Sequence, residues 1–248
     1  MYTILILLVI IFLPIPVMMK YMLTGRSAYR GILEGSLSAM AGVTLIFLMF
    51  WSMTGATFFD VLDATLDQIR VEDLNLNGYN LIGAERLEPD NMQLALDRMK
   101  EMTRTALPGT LIVFCLITAY LNYAILSWLI GKTGRKISAL PPFRTFSLPK
   151  NIFIGALMIY LLSYITANMG IIDKNLIMFS MELLFTFVFS VQGLAVIFYF
   201  GYLKKIPGAV LFIISAVFLL TWIGQTILFL LGLVDAALDI RKRFAQTR

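Results

Sequence analysis

The 248-residue sequence has no histidine and a single cysteine, Cys115. An intrachain disulfide, a Cys/His zinc site and histidine acid–base chemistry are therefore excluded. Charge is also scarce, at 14% of residues, against about 25% in an ordinary soluble domain. Hydrophobic residues make up 59%, and the mean hydropathy is +0.85. So few charges cannot clothe a water-exposed globule. G-x-S-x-G, P-loop, G-x-G-x-x-G and H-E-x-x-H patterns are all missing. Hence no catalytic constellation, metal site or cofactor is expected, and the chain reads as a non-enzyme. The basic residues sit at the ends of apolar runs, where membrane orientation and lipid headgroups account for them better than nucleic acid does.

What is abundant is long apolar sequence. Crossing a bilayer takes roughly 20 mostly apolar residues. Six stretches qualify: Tyr2 to Leu23, Gly31 to Gly55, Leu107 to Ile130, Ile152 to Gly170, Leu176 to Leu203, and Pro207 to Val234. The first has no basic leader and no Ala-x-Ala-like cleavage site, so it reads as a retained span bent at Pro14 and Pro16. The expectation is a single all-α integral membrane domain over 1–248, a bundle of about six transmembrane helices with an extracytoplasmic helical hairpin.

The charges are partitioned. Residues 56–106 hold ten acids and five bases, leaving five acids and fifteen bases elsewhere. Lys20, Arg26 and Arg30 mark one short connector and Lys204 and Lys205 another. The 131–150 connector holds Lys132, Arg135, Lys136, Arg144 and Lys150, with no acid. Lys and Arg in short loops stay cytoplasmic. This puts 131–150 inside a bacterial cytoplasmic (inner) membrane and the amino terminus and 56–106 outside. The tail conflicts: six crossings would place Arg241, Lys242, Arg243 and Arg248 outside. Either the charge rule fails there, or the last stretch does not cross fully, or a span is miscounted.

In the outer segment, Phe59, Leu62, Leu66 and Ile69 recur at helical spacing, with Asp60, Asp63 and Asp67 on another face. The second span is expected to continue outward as an amphipathic helix. Asn75 to Gly83 reads as a turn, and a second helix, capped by Asp90, follows Pro89. Pro108 suits the first turn of the third span or a kink in it. The three aspartates read as a solvated face rather than a cation site, because no EF-hand-like spacing accompanies them.

Polar groups at membrane depth are costly and so are candidates for function. Glu34 can pair with Arg30 one turn away. Glu182 can meet a cationic ligand, a partner or Lys174. Gln192, Gln225, Asn122 and Asn168 must find partners inside the protein. Gly31, Gly35, Ala39 and Gly42 form one small-residue stripe; Gly208, Ala216, Gly224 and Gly232 form another, both suited to internal helix packing. Rings from Phe179 to Phe200 surround the fifth span and are expected to face lipid.

Two segments are distinctive. One is Leu140-Pro141-Pro142-Phe143-Arg144-Thr145-Phe146-Ser147-Leu148-Pro149. Its prolines stop helices on both sides, its rings can dip into the interface, and Arg144 can meet phosphate or carboxylate. Pro141, Pro142, Phe143, Arg144 and Pro149 are thus candidates for cytoplasmic docking. The other is Gly232 to Arg243, in which Asp235 and Asp239 share a helical face and a basic triplet favours the negative end of the helix dipole.

With Gln192-Gly193, these segments resemble the YybS-like family of bacterial membrane proteins, over about Pro14 to Arg243. The resemblance implies a longer amino end in most members. It also implies a distant likeness to the substrate-binding subunits of energy-coupling-factor transporters and to the rod-shape protein MreD. Three functions are in play. One is a scaffold or assembly subunit with protein partners on both faces. Another is a small-molecule-binding or transport subunit, with a solute among Glu182, Gln192 and Gln225. The third is a lipid-acting enzyme using Asp235 and Asp239. Glu34 and Arg241 complete the binding candidates, and membrane lipids are partners in every case.

Overall fold

A computed structural model describes residues 2–69, 89–133, 137–149, 151–170 and 173–246. The described residues outside loops are helical. In chain order the helices are α1 (Tyr2–Phe12), α2 (Pro14–Leu23), α3 (Ala28–Thr54), α4 (Phe58–Asp67), α5 (Pro89–Gly131), α6 (Ile152–Asn168), α7 (Lys174–Leu203), α8 (Gly208–Leu220), α9 (Trp222–Leu238) and α10 (Ile240–Gln246). A 3-10 turn, Phe143–Thr145, lies in the basic connector.

Among the described residues, four helical stretches are long and apolar enough to cross a membrane: Ile4–Leu23, Ala28–Thr54, Gln93–Gly131 and Lys174–Leu203. The pair α8–α9 qualifies only when joined, and it is bent by 108°. The 17-residue α6 is apolar but spans about 25 Å, a little short of a hydrocarbon core of roughly 30 Å. The described residues thus form an all-helical bundle with four to five candidate membrane spans.

The first stretch breaks at Leu13, where Pro14 and Pro16 withdraw two backbone donors. Asn122 of α5 ties down this break from the side, donating from Nδ2 to the Ile11 carbonyl at 2.7 Å. The α3 stripe is an internal seam. A Cβ on Gly31 would press on Tyr21 and Tyr123, one on Gly35 on Met18, and one on Gly42 on Val9 and Leu13. The kinked α1–α2 unit thus lies in a groove that only small residues provide. Met18, Met22, Ala119 and Tyr123 fill the centre of this half.

Two local expectations change. The second span does not run on outward. Gly55 closes α3 in the left-handed region at φ 72, and Thr57 starts α4 with a capping box on Asp60. Hydrogen bonds from the Thr57 hydroxyl and then its amide hold the Asp60 carboxyl below its usual range. The outer helix after Pro89 and the third span are instead one 43-residue helix, about 65 Å long, with Pro108 inside it. Beside the proline, Gly109 lets α5 meet the α7 backbone at Ser180. The Asn75 to Gly83 turn lies outside the described residues, as do Arg135, Lys136 and Lys150.

Helix α7 is the hub, touching α5, α6, α8, α9 and the 3-10 turn. Its rings therefore meet protein rather than only lipid. Phe185 packs with Tyr160, Phe189 with Phe229, Phe198 with Phe143, and Phe200 with Phe244. Helix α9 runs in the same direction as α7, since Phe189, Gln192, Tyr199 and Phe200 meet Phe229, Asp235, Arg241 and Phe244 in that order. Helix α8 starts at that same carboxyl end of α7, with Leu211 against Gly201. Both ends of the α8–α9 pair thus sit at the carboxyl end of α7, beside the connector.

Candidate functional site: a buried polar clasp

The site forms where three distant segments meet. At Asp239 the chain enters the left-handed region at φ 51 and ends α9, a conformation that Asp tolerates better than most residues. The turn folds α10 back, so that Arg241 lies against Asp235 instead of projecting beyond the helix end. Both are buried, at 9% and 3% exposure, and Gln192 beside them is at 1%.

Every arm of this cluster is engaged. Arg241 donates to the Asp235 carboxylate from Nε at 3.0 Å, from Nη2 at 2.8 Å and from its backbone amide at 3.3 Å. The Gln192 side-chain amide donates to the same carboxylate. The Gln192 Oε1 accepts from the Leu148 amide at 3.1 Å, and Arg241 Nη1 donates to the Arg144 carbonyl at 3.1 Å. The connector backbone is thereby tied to α7 on one side and to α10 on the other. A buried ion pair with its remaining valences satisfied in this way is tolerated at low dielectric.

Around the clasp, aromatic contacts fix the connector. Phe143 meets Phe198 edge-on at 5.6 Å, and Phe146 meets Tyr29 at 5.2 Å. The guanidinium of Arg144 stacks over Tyr202, 3.7 Å from the ring centroid, rather than meeting a carboxylate. The backbones of α7 and α9 touch beneath. A Cβ on Gly193 would enter the Leu228 carbonyl, and one on Gly232 would enter the Phe189 carbonyl.

The remaining candidates do not join this cluster. Gln225 donates to the Leu219 carbonyl at 2.8 Å and stiffens the α8–α9 bend. Glu182 is exposed on α7, and the ammonium of Lys174 stands over Tyr164. Glu34 pairs with Arg30 at 3.2 Å on the surface. Asp239 does not share a face with Asp235, because the helix ends before it; its carboxylate pairs with Lys242 at 3.3 Å. Nor do Gly208, Ala216, Gly224 and Gly232 form one stripe, since the bend separates the first two from the others. Asn168 bonds one turn back along its own helix, to the Tyr164 carbonyl.

Sequence reasoning missed the backbone groups of Arg144 and Leu148, which no side-chain pattern reveals. It also missed Thr221, whose hydroxyl accepts from the Gly224 amide and starts α9. A hydroxyl three residues before a glycine in an apolar run was the available signal.

At the far end of the bundle, a polar cleft of about 610 Å³ separates α4, α5 and the start of α7. Asp63, Asp67, Asp97, Lys100, Arg104 and Asp173 line it. Arg104 bridges Asp63 and, at 3.3 Å, Asp67, so these carboxylates face a cation of the chain itself.

A curated relative from Bacillus subtilis, described as "Uncharacterized protein YybS", is 21% identical over 221 residues, covering 86% of this chain and 68% of that protein. No solved structure matches the chain. Residues 1–236 match the family described as "Predicted membrane protein (DUF2232)", and the chain belongs to that family of YybS-like membrane proteins.

Proposed function

We propose that this protein is a non-catalytic scaffold or assembly subunit of a complex in the bacterial cytoplasmic membrane. Its cytoplasmic docking face is the connector around Phe143–Pro149. The observation that carries this reading is the clasp. The strongest polar groups of the bundle are spent on holding the connector in one shape, through Gln192, Asp235 and Arg241. A preorganised surface loop loses little entropy on binding a partner. Of the residues that a transport subunit would gather around a solute, Gln192 holds the connector, Gln225 bonds the Leu219 carbonyl and Glu182 is exposed.

In this reading the α8–α9 pair enters and returns on the cytoplasmic side, so the basic tail obeys the charge rule. The α1–α2 unit, α3, α5, α6 and α7 make five crossings. The acidic α4–α5 hairpin is a second face, on the outside.

A photo-crosslinking residue at the exposed Ser147 tests the docking role in living cells. The expected result is a discrete protein adduct that Arg144→Ala abolishes while membrane insertion is unchanged. An absent adduct, or one that persists in Arg144→Ala, contradicts it. A small molecule that co-purifies one to one and raises the melting temperature favours the transport reading instead.

A further inference from the structure

Helix α7 is covered by its neighbours along almost its whole length. Between Leu176 and Gly201 every residue is buried or half-buried except Glu182, which is exposed. Its place on the helix explains the exposure. Glu182, Phe189 and Gly193 stand at intervals of seven and four residues and share one helical face. Helix α9 covers that face further along, with Gly232 at the Phe189 carbonyl and Leu228 at Gly193. It begins at Trp222, about 9 Å before Leu228 along its axis. Glu182 lies about 16 Å before Gly193 along the parallel α7, and so stands about 7 Å beyond the start of α9. The α8–α9 bend is itself open, with Leu220 and Trp222 each 85% exposed. We propose that Glu182 docks the transmembrane helix of a different protein, one that carries a lysine or arginine at the same depth.

Depth makes this carboxylate informative. Helix α7 has 30 residues and is about 45 Å long, against a hydrocarbon core of roughly 30 Å. Glu182 lies about 12 Å from the first residue of the helix, Lys174, and so enters the core. A lone acid facing hydrocarbon is costly, and a cation at its level removes that cost. This chain supplies none. No Lys or Arg occurs in 2–19, 31–69, 105–131, 151–173, 175–203 or 206–240. Lys174 lies two turns further out, with its ammonium over Tyr164. A second copy in the same orientation repeats these residues at the same depths, so it brings no cation either. Charge complementarity thus selects a different chain. The contact lies within the membrane, apart from the connector face, and shares with the scaffold reading only the crossing of α7.

The donor-labelled full chain is reconstituted in phosphatidylcholine vesicles with an acceptor-labelled leucine–alanine helix that bears one lysine two turns from its end. Energy transfer is compared with that of the same helix bearing leucine there. The expected result is that the lysine helix associates about threefold to tenfold more tightly, the range of interhelical polar contacts. Glu182→Gln, at an exposed position, makes the two helices equal while leaving elution and melting unchanged. Glu182→Lys turns the preference toward a helix bearing aspartate. Equal binding of the two helices by the parent protein, or a lysine preference that survives Glu182→Gln, overturns the proposal. So does efficient disulfide dimerisation of Glu182→Cys in a chain carrying Cys115→Ala, which would give this face to a second copy. The parent comparison stands even where a variant does not fold. Adducts at Ser147 report the connector alone, so either result can fail without the other.

Discussion

Asp235→Ala is expected to destabilise the protein by about 3–5 kcal/mol, because it leaves the guanidinium of Arg241 buried without its counter-charge. Three donor groups of Arg241 and the amide of Gln192 lose their acceptor at once. In detergent, a loss of this size lowers the melting temperature by on the order of 10 °C for a chain of this length. Replacing both partners separates charge burial from packing. Asp235→Leu with Arg241→Met removes the stranded charge, and is expected to recover most of the stability lost by Asp235→Ala. If Asp235→Ala melts within a degree of the parent, the clasp is not holding the connector.

Gly232→Leu acts on the same junction through sterics. Here α7 and α9 pack backbone to backbone, with Gly193 opposite Gly232. A Cβ at Gly232 falls inside the Phe189 carbonyl, and main chain cannot swing aside as a flexible side chain can. The helices must separate, which pulls Asp235 from Gln192. Overpacking costs about 1–3 kcal/mol even in more forgiving cores, and the loss here is expected at or above the top of that range. Gly155→Ala is the control. It enters open space inside α6 and should be neutral or stabilising by up to about 1 kcal/mol. Equal effects at Gly232 and Gly155 would contradict the close approach of α7 and α9.

These two variants also mark what was legible in the sequence. Apolar length and the siting of Lys and Arg revealed a membrane helix bundle, since desolvating charge is expensive and the bilayer fixes a length scale. Pro141–Pro149, Gln192-Gly193 and Asp235–Arg243 stood out as unusual in such a chain. That they meet in one place was not legible. Gln192 and Asp235 are 43 residues apart, and Arg144 and Arg241 are 97 apart, so no local period connects them. The bend at Thr221 was hidden for a different reason. Hydropathy reports how much apolar chain is present, not its direction, and α8 and α9 are uniformly apolar across the break. Asp239 looked like a helical residue one turn after Asp235, yet it ends the helix in the left-handed region and sends Arg241 inward. The Phe residues of α7 looked lipid-facing because composition cannot tell a peripheral helix from a hub.

The most direct test is the side of the tail, because the clasp requires Arg241 and the connector to share one face of the membrane. Single cysteines replace Thr57, Lys132 and Lys242 in a chain carrying Cys115→Ala, and an impermeant maleimide is applied to intact cells. The account predicts labelling of Thr57→Cys at once, and of Lys132→Cys and Lys242→Cys only after the membrane is opened. Labelling of Lys242→Cys from outside while Lys132→Cys stays protected would place tail and connector on opposite faces, and the clasp could not exist.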